Sequence, residues 1–322
     1  MAKLRKKKTI LVTGATGFIG RHLIGRLIGL GQYSIVAISR FPEKANKIKN
    51  QEIKLIKADI TKEKDLEKLT KIPIDIIIHC AASVEGKKKK NLDKTNIFGT
   101  ENICKLGVEL GVEKFIYLSS VAVVSGNKQL PLTEELPHSA TNIYGESKLE
   151  AEKKVLVYRR KGLPVVILRP PMVYGEDEPH AFSFLLKLLK WRMIPLVEGG
   201  KYRLHLAYVE NVVEAIIFAL ENDDMFKGSF FVADDEVLTI EQVFKKMAEG
   251  IGAKPPLFVP SFLTYFLCQI PFLGKRFSFF LKDRIYSTEK IKSLGFMPPY
   301  RAKDALVKSS RACFKKKNRT SN

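Results

Sequence analysis

The chain has 322 residues, enough for one large domain or two ordinary ones, and its 45% hydrophobic and 28% charged residues exclude wholesale disorder and a fibrous repeat. Fifty-five lysines and arginines against 34 aspartates and glutamates leave a net charge of +21, a positive field suited to anionic partners such as nucleotides, diphosphates or anionic lipid. Part of that excess lies in terminal arms (Lys3, Arg5, Lys6, Lys7 and Lys8; Lys315, Lys316, Lys317 and Arg319), and a further run, Lys87 to Lys90, is expected on an exposed loop. None of these runs interleaves aromatic residues, which argues against a nucleic-acid groove. Cys80, Cys104, Cys268 and Cys313 lack metal-ligand spacing and follow no secretory leader, so a reducing cytoplasm is the expected compartment.

In chain order, an apolar run at 9–12 leads through glycines into a periodic stretch at 18–30, the pattern of strand, tight turn and helix. Further apolar runs at 34–38, 53–56, 74–78, 115–118 and 165–168 alternate with amphipathic segments, predicting a parallel sheet covered on both faces. Helical spacing marks 95–110, 142–161, 211–221 and 239–250. Residues 255–274 carry no charge, but Pro255, Pro256, Pro260 and Pro271 interrupt them, which argues against a membrane span. The phenylalanine-rich part, with Lys275, Arg276 and Lys282, suits either a helix covering a substrate pocket or peripheral contact of 255–282 with the inner membrane surface.

The first turn reads Thr13-Gly14-Ala15-Thr16-Gly17-Phe18-Ile19-Gly20. Glycine lets the backbone approach a pyrophosphate, and the helix that follows offers unpaired N–H groups, so Gly14, Gly17, Phe18, Ile19 and Gly20 are candidate dinucleotide contacts. At the end of the second strand, where an acidic residue usually receives the ribose of NAD, stand Ser39 and Arg40. A guanidinium offers a fork of donors to a 2′-phosphate, which favours NADP(H) over NAD(H). Asp59, expected to end the third strand, is a candidate adenine contact.

Ser119 and Ser120 end the fifth predicted strand, and Tyr144 lies four residues before Lys148 on the following helix, so both side chains share one face. A neighbouring ammonium is expected to favour the tyrosine's phenolate, making Ser120, Tyr144 and Lys148 the candidate catalytic set for proton exchange during hydride transfer. A second Tyr-x-x-x-Lys, Tyr286 and Lys290, lacks that context. His22, His79, His138, His180 and His205 form no ligand pair at helical spacing, and no metal is expected.

These residues, with His79-Cys80-Ala81-Ala82, Asn96-Ile97-Phe98-Gly99-Thr100, Tyr144-Gly145-Glu146-Ser147-Lys148, Leu168-Arg169-Pro170, Tyr174-Gly175 and Tyr208-Val209-Glu210-Asn211, resemble the extended short-chain dehydrogenase/reductases, the NAD-dependent epimerase/dehydratase family. The resemblance implies a Rossmann-type doubly wound α/β sheet over 1–170, with 204–250 returning to it. It further implies a smaller C-terminal substrate domain from 171–203 and 251–312, a basic tail at 313–322, and a homodimer through helices 95–110 and 142–161. It makes Tyr144 the acid/base, sets Lys148 on the nicotinamide ribose, and has Ser120 polarise the substrate. Ile60, Ala81, Ala82, Asn96 and Pro170 join the cofactor-binding set, Asn96 supporting the active-site helix and Pro170 lying near the nicotinamide. Counting back from Gly126 lands instead on Val121, whose apolar side chain cannot hydrogen-bond a reacting oxygen.

Val121 and Ala122 after Ser120 disfavour a 4,6-dehydratase, which needs carboxylates there. The run from Ser287 to Pro299 resembles the nucleoside diphosphate sugar branch, although Arg203 falls one position from the register expected of a diphosphate-binding arginine. Tyr208-Val209-Glu210-Asn211-Val212-Val213 and Ser119-Ser120-Val121-Ala122-Val123-Val124 look closer to 3β-hydroxysteroid dehydrogenases. The expected activity is therefore an NAD(P)-dependent epimerase, dehydrogenase or reductase of a secondary alcohol or ketone, foremost a nucleoside diphosphate sugar, alternatively a lipophilic 3β-hydroxysteroid-like alcohol. A non-catalytic nucleotide-binding scaffold is the third reading.

Overall fold

The alternation of apolar runs and amphipathic segments is realised as a seven-stranded, wholly parallel sheet in the computed structural model, which describes residues 7–44, 53–84, 89–179, 182–259 and 281–319. In chain order the elements are β1 (Lys8–Thr13), α1 (Phe18–Leu30), β2 (Tyr33–Ser39), β3 (Ile53–Lys57), α2 (Glu63–Leu66), β4 (Ile76–His79) and α3 (Lys89–Asp93). A π-helical turn at Lys94–Phe98 then leads into α4 (Gly99–Leu110), β5 (Lys114–Leu118), α5 (Ile143–Arg160) and β6 (Val165–Arg169). The strand Ser229–Phe231 pairs with β6 and completes the order β3-β2-β1-β4-β5-β6 and then Ser229–Phe231. Strand order therefore turns outward in opposite directions from β1, which opens a crevice beyond the carboxyl ends of β1 and β4.

Burial on both faces explains the continuous apolar runs: β4, β5 and β6 are buried throughout, and Ile10, Leu11 and Val12 of β1 are fully enclosed. Helix α1 buries Gly20, Leu23, Ile24 and Leu27, one stripe at helical spacing, and stops at Gly31 in the left-handed conformation. The first residue of β5, Lys114, is buried yet well partnered. Its ammonium donates to the carbonyls of Ala219 (3.1 Å) and Leu220 (2.8 Å) at the end of helix Val209–Glu221, and to Asp223 (2.9 Å). A cation on unpaired helix carbonyls is favourable, so Lys114→Met is expected to lower unfolding free energy by about 2 kcal/mol in urea titration.

The chain divides into two compact units. The first is Met1–Lys128, Glu134–Pro170 and Ala215–Phe231 and contains the large sheet; the second is Gln129–Thr133, Pro171–Glu214 and Val232–Asn322. The return to the sheet unit is thus narrower than the expected 204–250. Helix Ile240–Gly250 belongs to the second unit because it packs on helix Ala302–Arg319, so closely that a Cβ on Gly250 would stand 2.6 Å from the carbonyl oxygen of Val307. Residues 313–319, expected as a tail, continue that terminal helix, because Ala302, Ala305, Leu306 and Cys313 recur on one buried face. Lys89 and Lys90, expected on a loop, open α3, and Lys89 pairs with Glu146 at 2.9 Å.

The second unit also holds three two-stranded pairings: Val173–Tyr174 with Ala207–Tyr208, Arg203–Leu204 with Leu238–Thr239, and Pro195–Val197 with Leu257–Val259. Two of the motifs noted in the sequence converge there, through three residues, on one buried carboxylate. Asp234 accepts from the Tyr174 hydroxyl (2.9 Å), the Tyr208 N–H (2.7 Å) and the Asn211 amide (2.8 Å). Burial still raises its pKa to about 6. Lys87, Lys88, His180, Cys268 and 260–280, with most of the phenylalanine-rich segment, lie outside the described residues.

Candidate active site

The end of β1 is tied to the end of β4 by side chains. The Thr13 hydroxyl lies 2.6 Å from His79 Nδ1 and accepts the Ala81 N–H at 3.2 Å. Gly14, at φ 68°, passes so close that a Cβ there would stand 2.7 Å from the Ala81 backbone, and one on Gly20 would stand 2.1 Å from the Gly14 carbonyl oxygen. Both glycines are required by close approach, while Gly17 closes the turn by donating to the Gly14 oxygen at 2.9 Å. Helix α1 starts at Phe18 with no side-chain cap and no acidic residue in its first turn, leaving its N–H groups and dipole free for an anion. A cradle bare of side chains, facing an uncapped helix end, fits a pyrophosphate. Phe18 and Ile19, half-buried, begin that helix, and Arg21 lies over the Phe18 ring.

The rim residues are distributed unevenly. The Ser39 hydroxyl is 3.1 Å from that of Thr16 and accepts the Phe41 N–H, which ties the end of β2 to the turn. Arg40 is exposed, its guanidinium 5.7 Å from the Phe41 ring centroid. Asp59 lies two residues beyond β3 rather than at its end. Its carboxylate accepts the Thr61 N–H at 2.9 Å, closing a local turn. Ile60 is buried against α4, where it fills the space over Gly99. Ala81 is half-buried beside Gly14, Ala82 is exposed, and the buried Pro170 accepts the Val121 N–H at 3.2 Å.

Beyond β5, Ser120 caps a short 3-10 turn, its hydroxyl accepting the Ala122 N–H at 3.2 Å. The start of α5 packs on that turn, so closely that a Cβ on Gly145 would stand 2.9 Å from the Ala122 carbonyl oxygen, which brings Tyr144 close to Ser120. Val121, the alternative position, is 6% exposed and packs inward. Helix α5 is capped by Asn142, which accepts the Gly145 N–H at 2.8 Å, and it turns Tyr144 and Lys148 toward the end of the sheet. Lys148 is 1% exposed; its ammonium donates to the Leu118 carbonyl at 2.8 Å and lies 4.4 Å from the Tyr117 ring centroid.

This enclosure reverses one electrostatic expectation. Burial raises the Tyr144 phenol to about 12, and burial lowers the Lys148 ammonium to about 7 despite the nearby Glu152. The chain alone thus keeps Tyr144 a neutral phenol, because Lys148 spends its charge on a carbonyl and a ring face while desolvation penalises both ionised forms.

Asn96 sits in the π-helical turn, 1% exposed. It accepts the Ser83 N–H (2.7 Å) and donates to the Ser83 carbonyl (3.0 Å) and the Ser147 hydroxyl (2.9 Å), while Ser147 donates to the Tyr144 carbonyl (2.8 Å). Its side chain is thus occupied in joining the loop after β4 to α5 between Tyr144 and Lys148. Asn96→Ala is expected to lower turnover about tenfold with a smaller change in unfolding free energy, read by kinetics and urea titration in parallel.

Sequence reasoning missed the buried group beneath this site. Glu152, one helical turn past Lys148, is fully enclosed and receives the Arg169 fork at 2.9 and 2.7 Å, with His138 Nε2 at 3.4 Å. Contacts with His138 and the Arg169 guanidinium overcome burial and hold the carboxyl at about 2. The available signal was periodicity, since Tyr144, Lys148 and Glu152 recur every four residues. The second Tyr-x-x-x-Lys makes no comparable site: buried Tyr286 precedes the short helix Glu289–Lys292 that carries Lys290. Arg203 is bound to Asp283 by its own N–H (2.8 Å), Nε (2.9 Å) and Nη2 (2.6 Å).

A glycine cradle at the turn of a parallel sheet and a Ser–Tyr–Lys set beyond the end of β5 define the class, a dinucleotide-dependent enzyme of alcohol and ketone chemistry. The chain belongs to the NAD dependent epimerase/dehydratase family, whose model matches residues 10–233, and is an enzyme of the extended short-chain dehydrogenase/reductase type. It is 26% identical to a UDP-glucose 4-epimerase of Vibrio cholerae, over 97% of each chain. It is 28% identical to a 3 beta-hydroxysteroid dehydrogenase/Delta 5-->4-isomerase of Mycobacterium tuberculosis, over 77% of this chain and 70% of that one. The crystal structure of the UDP-glucuronic acid 4-epimerase of Bacillus cereus in complex with NAD superposes with a TM-score of 0.80 at 25% identity, covering 95% of this chain and 99% of the other.

Proposed function

We propose that the protein oxidises and reduces a secondary alcohol and its ketone, with Tyr144 exchanging the proton. The observation that carries this reading is the gathering of Ser120, Tyr144 and the buried Lys148 where α5 packs on the turn after β5, in the same compact unit as the glycine cradle. When bound on Gly14, Gly17 and the start of α1, a nicotinamide dinucleotide supplies or accepts the hydride. Ser120 holds the substrate oxygen through its hydroxyl. In reduction the Tyr144 O–H bond breaks and its proton passes to the developing alkoxide; in oxidation the same oxygen takes the proton back. A phenol held near 12 is well matched to protonating an alkoxide and ill matched to removing a proton at neutral pH. For Tyr144 to take up a proton at neutral pH, a further positive charge must stabilise its phenolate.

For substrate we propose a nucleoside diphosphate sugar, supported by the near full-length similarity to sugar-nucleotide epimerases. The engagement of Arg203 with Asp283 favours the second reading, a lipophilic 3β-hydroxysteroid-like alcohol, because it leaves that arginine's fork occupied. Two assays separate them: interconversion of UDP-glucose and UDP-galactose followed by chromatography, and steroid-dependent reduction of NAD or NADP at 340 nm. Sugar interconversion without net absorbance change supports the first reading, and steroid-dependent absorbance the second. Silence in both, with every other alcohol tested, rejects catalysis on these substrates.

For cofactor we propose that Arg40 admits NADP(H) as well as NAD(H), since its guanidinium stands exposed beyond β2 beside Ser39. Arg40→Ala is expected to weaken NADP(H) binding about tenfold and NAD(H) binding less than twofold by fluorescence titration. Equal losses would reject the role. We also propose a homodimer, supported by the exposed apolar Phe98, Val108 and Ile143 in the region of α4 and α5; a monomer by light scattering at micromolar concentration would reject it.

A further inference from the structure

The helix Phe182–Lys190 in the second unit is apolar on two faces. One face, with Phe182, Leu186 and Leu189, is buried against helices Ile240–Gly250 and Ala302–Arg319. The other bears Phe184, Leu188 and the following Trp191, spaced four and three residues apart and therefore in one stripe. Phe184 is 51% exposed, Trp191 66% and Met193 62%. The chain turns just there: the N–H groups of Trp191, Arg192 and Met193 donate to the carbonyls of Lys187, Leu189 and Leu188, with Arg192 in the left-handed region at φ 55°. This turn leads directly into Pro195–Val197, whose partner strand brings Leu257 opposite Pro195 and Phe258 opposite Leu196, both largely exposed.

Large apolar side chains at this exposure are costly in water and mark a surface that is covered in use. The charge around them identifies the cover. Lys187, Lys190 and Arg192 stand among the apolar residues, no acidic residue occurs from 182 to 197, and the chain as a whole carries +21. A positively charged, aromatic-studded helix face is repelled by a second copy of itself, whereas an anionic bilayer supplies both an apolar layer and negative headgroups. Trp and Phe sit at the headgroup boundary, and the lysine stems reach past them to the phosphates. We propose that Phe184, Trp191, Met193 and Phe258 form a docking face for an anionic phospholipid surface. The proposal is independent of the assigned activity.

Trp191 is the only tryptophan in the chain, so its emission reports this face directly. Full-length protein would be titrated with vesicles of phosphatidylcholine containing one quarter phosphatidylglycerol, and with phosphatidylcholine alone. The expected result is a blue shift of Trp191 emission and quenching by brominated lipid with the anionic vesicles only, weakened by salt. Phe184→Ser with Met193→Ser, and separately Lys187→Glu with Lys190→Glu, should each lower partitioning at least about tenfold while far-UV circular dichroism is unchanged. The proposal is overturned by vesicle binding that leaves Trp191 emission unmoved, which assigns binding to the basic termini. It is equally overturned by absence of vesicle binding. A blue, iodide-protected emission without lipid, together with a doubled mass, would assign the cover to a second copy and overturn it too.

Discussion

Tyr144→Phe is expected to lower turnover by about a thousandfold or more while leaving nicotinamide dinucleotide affinity within a factor of two. The substitution removes one oxygen and keeps the ring that fills the space beside Ser120, so folding and the cofactor cradle, built from the β1 turn and α1, are undisturbed. A positioned acid/base contributes on the order of 100- to 10,000-fold, and the nearby phenol of Tyr117 is no substitute, being fully buried under the Lys148 ammonium. Cofactor titration and single-turnover kinetics on the same preparation separate the two quantities. Undiminished turnover in the variant would move the acid/base role elsewhere. The pH profile adds an independent check. Lys148, lowered to about 7 by burial, is expected to give an apparent pKa near neutrality in kcat/KM, and Lys148→Met to abolish that step.

The second large effect concerns stability. Arg169→Met is expected to cost about 3 to 5 kcal/mol, because Glu152 would remain buried without its two charged hydrogen bonds. Glu152→Met should cost a similar amount by stranding the guanidinium. The double variant, which buries neither charge, should recover a substantial part of the loss, and a double-mutant cycle in urea reads that recovery as a coupling energy. Additive losses would show that the two residues act separately. The acid limb follows from the same pair. The carboxyl of Glu152 sits at about 2 in the folded protein against an ordinary value of 4.5, so its contribution is complete above about pH 4.5 and is lost as pH falls toward 2. In the double variant that part of the acid sensitivity should vanish.

Local patterns carried much of the architecture. The run 9–12, the glycines and the stripe of α1 announce strand, turn and helix together, and Tyr144 to Lys148 places two groups on one face, because both relations are set by spacing along the chain. What escaped depends on what lies across space. No pattern near Asp234 shows that Tyr174, Tyr208 and Asn211 converge on it, and Glu152 reads as one more surface charge until Arg169 arrives from β6. The titration of Tyr144 depends on space in the same way. Spacing brought Lys148 near, but the depth of the helix face, set by the sheet beneath, decides how much water either group loses. The charge of 313–319 suggests a tail, whereas the apolar face shared with the rest of the terminal helix continues the helix through it.

The π-helical turn at Lys94–Phe98 has a bearing on how this chain tolerates changes of length. Such a turn holds one residue more than a regular helix needs, so α3 and α4 are out of phase by about 100° across it. Deleting Ile97 would restore an unbroken helix and improve its local hydrogen bonding, yet it would swing Asn96 away from Ser83 and Ser147 relative to the packed face of α4. A shorter, more regular chain would then be the poorer catalyst, and insertions or deletions in this stretch should be selected against more strongly than most substitutions within it.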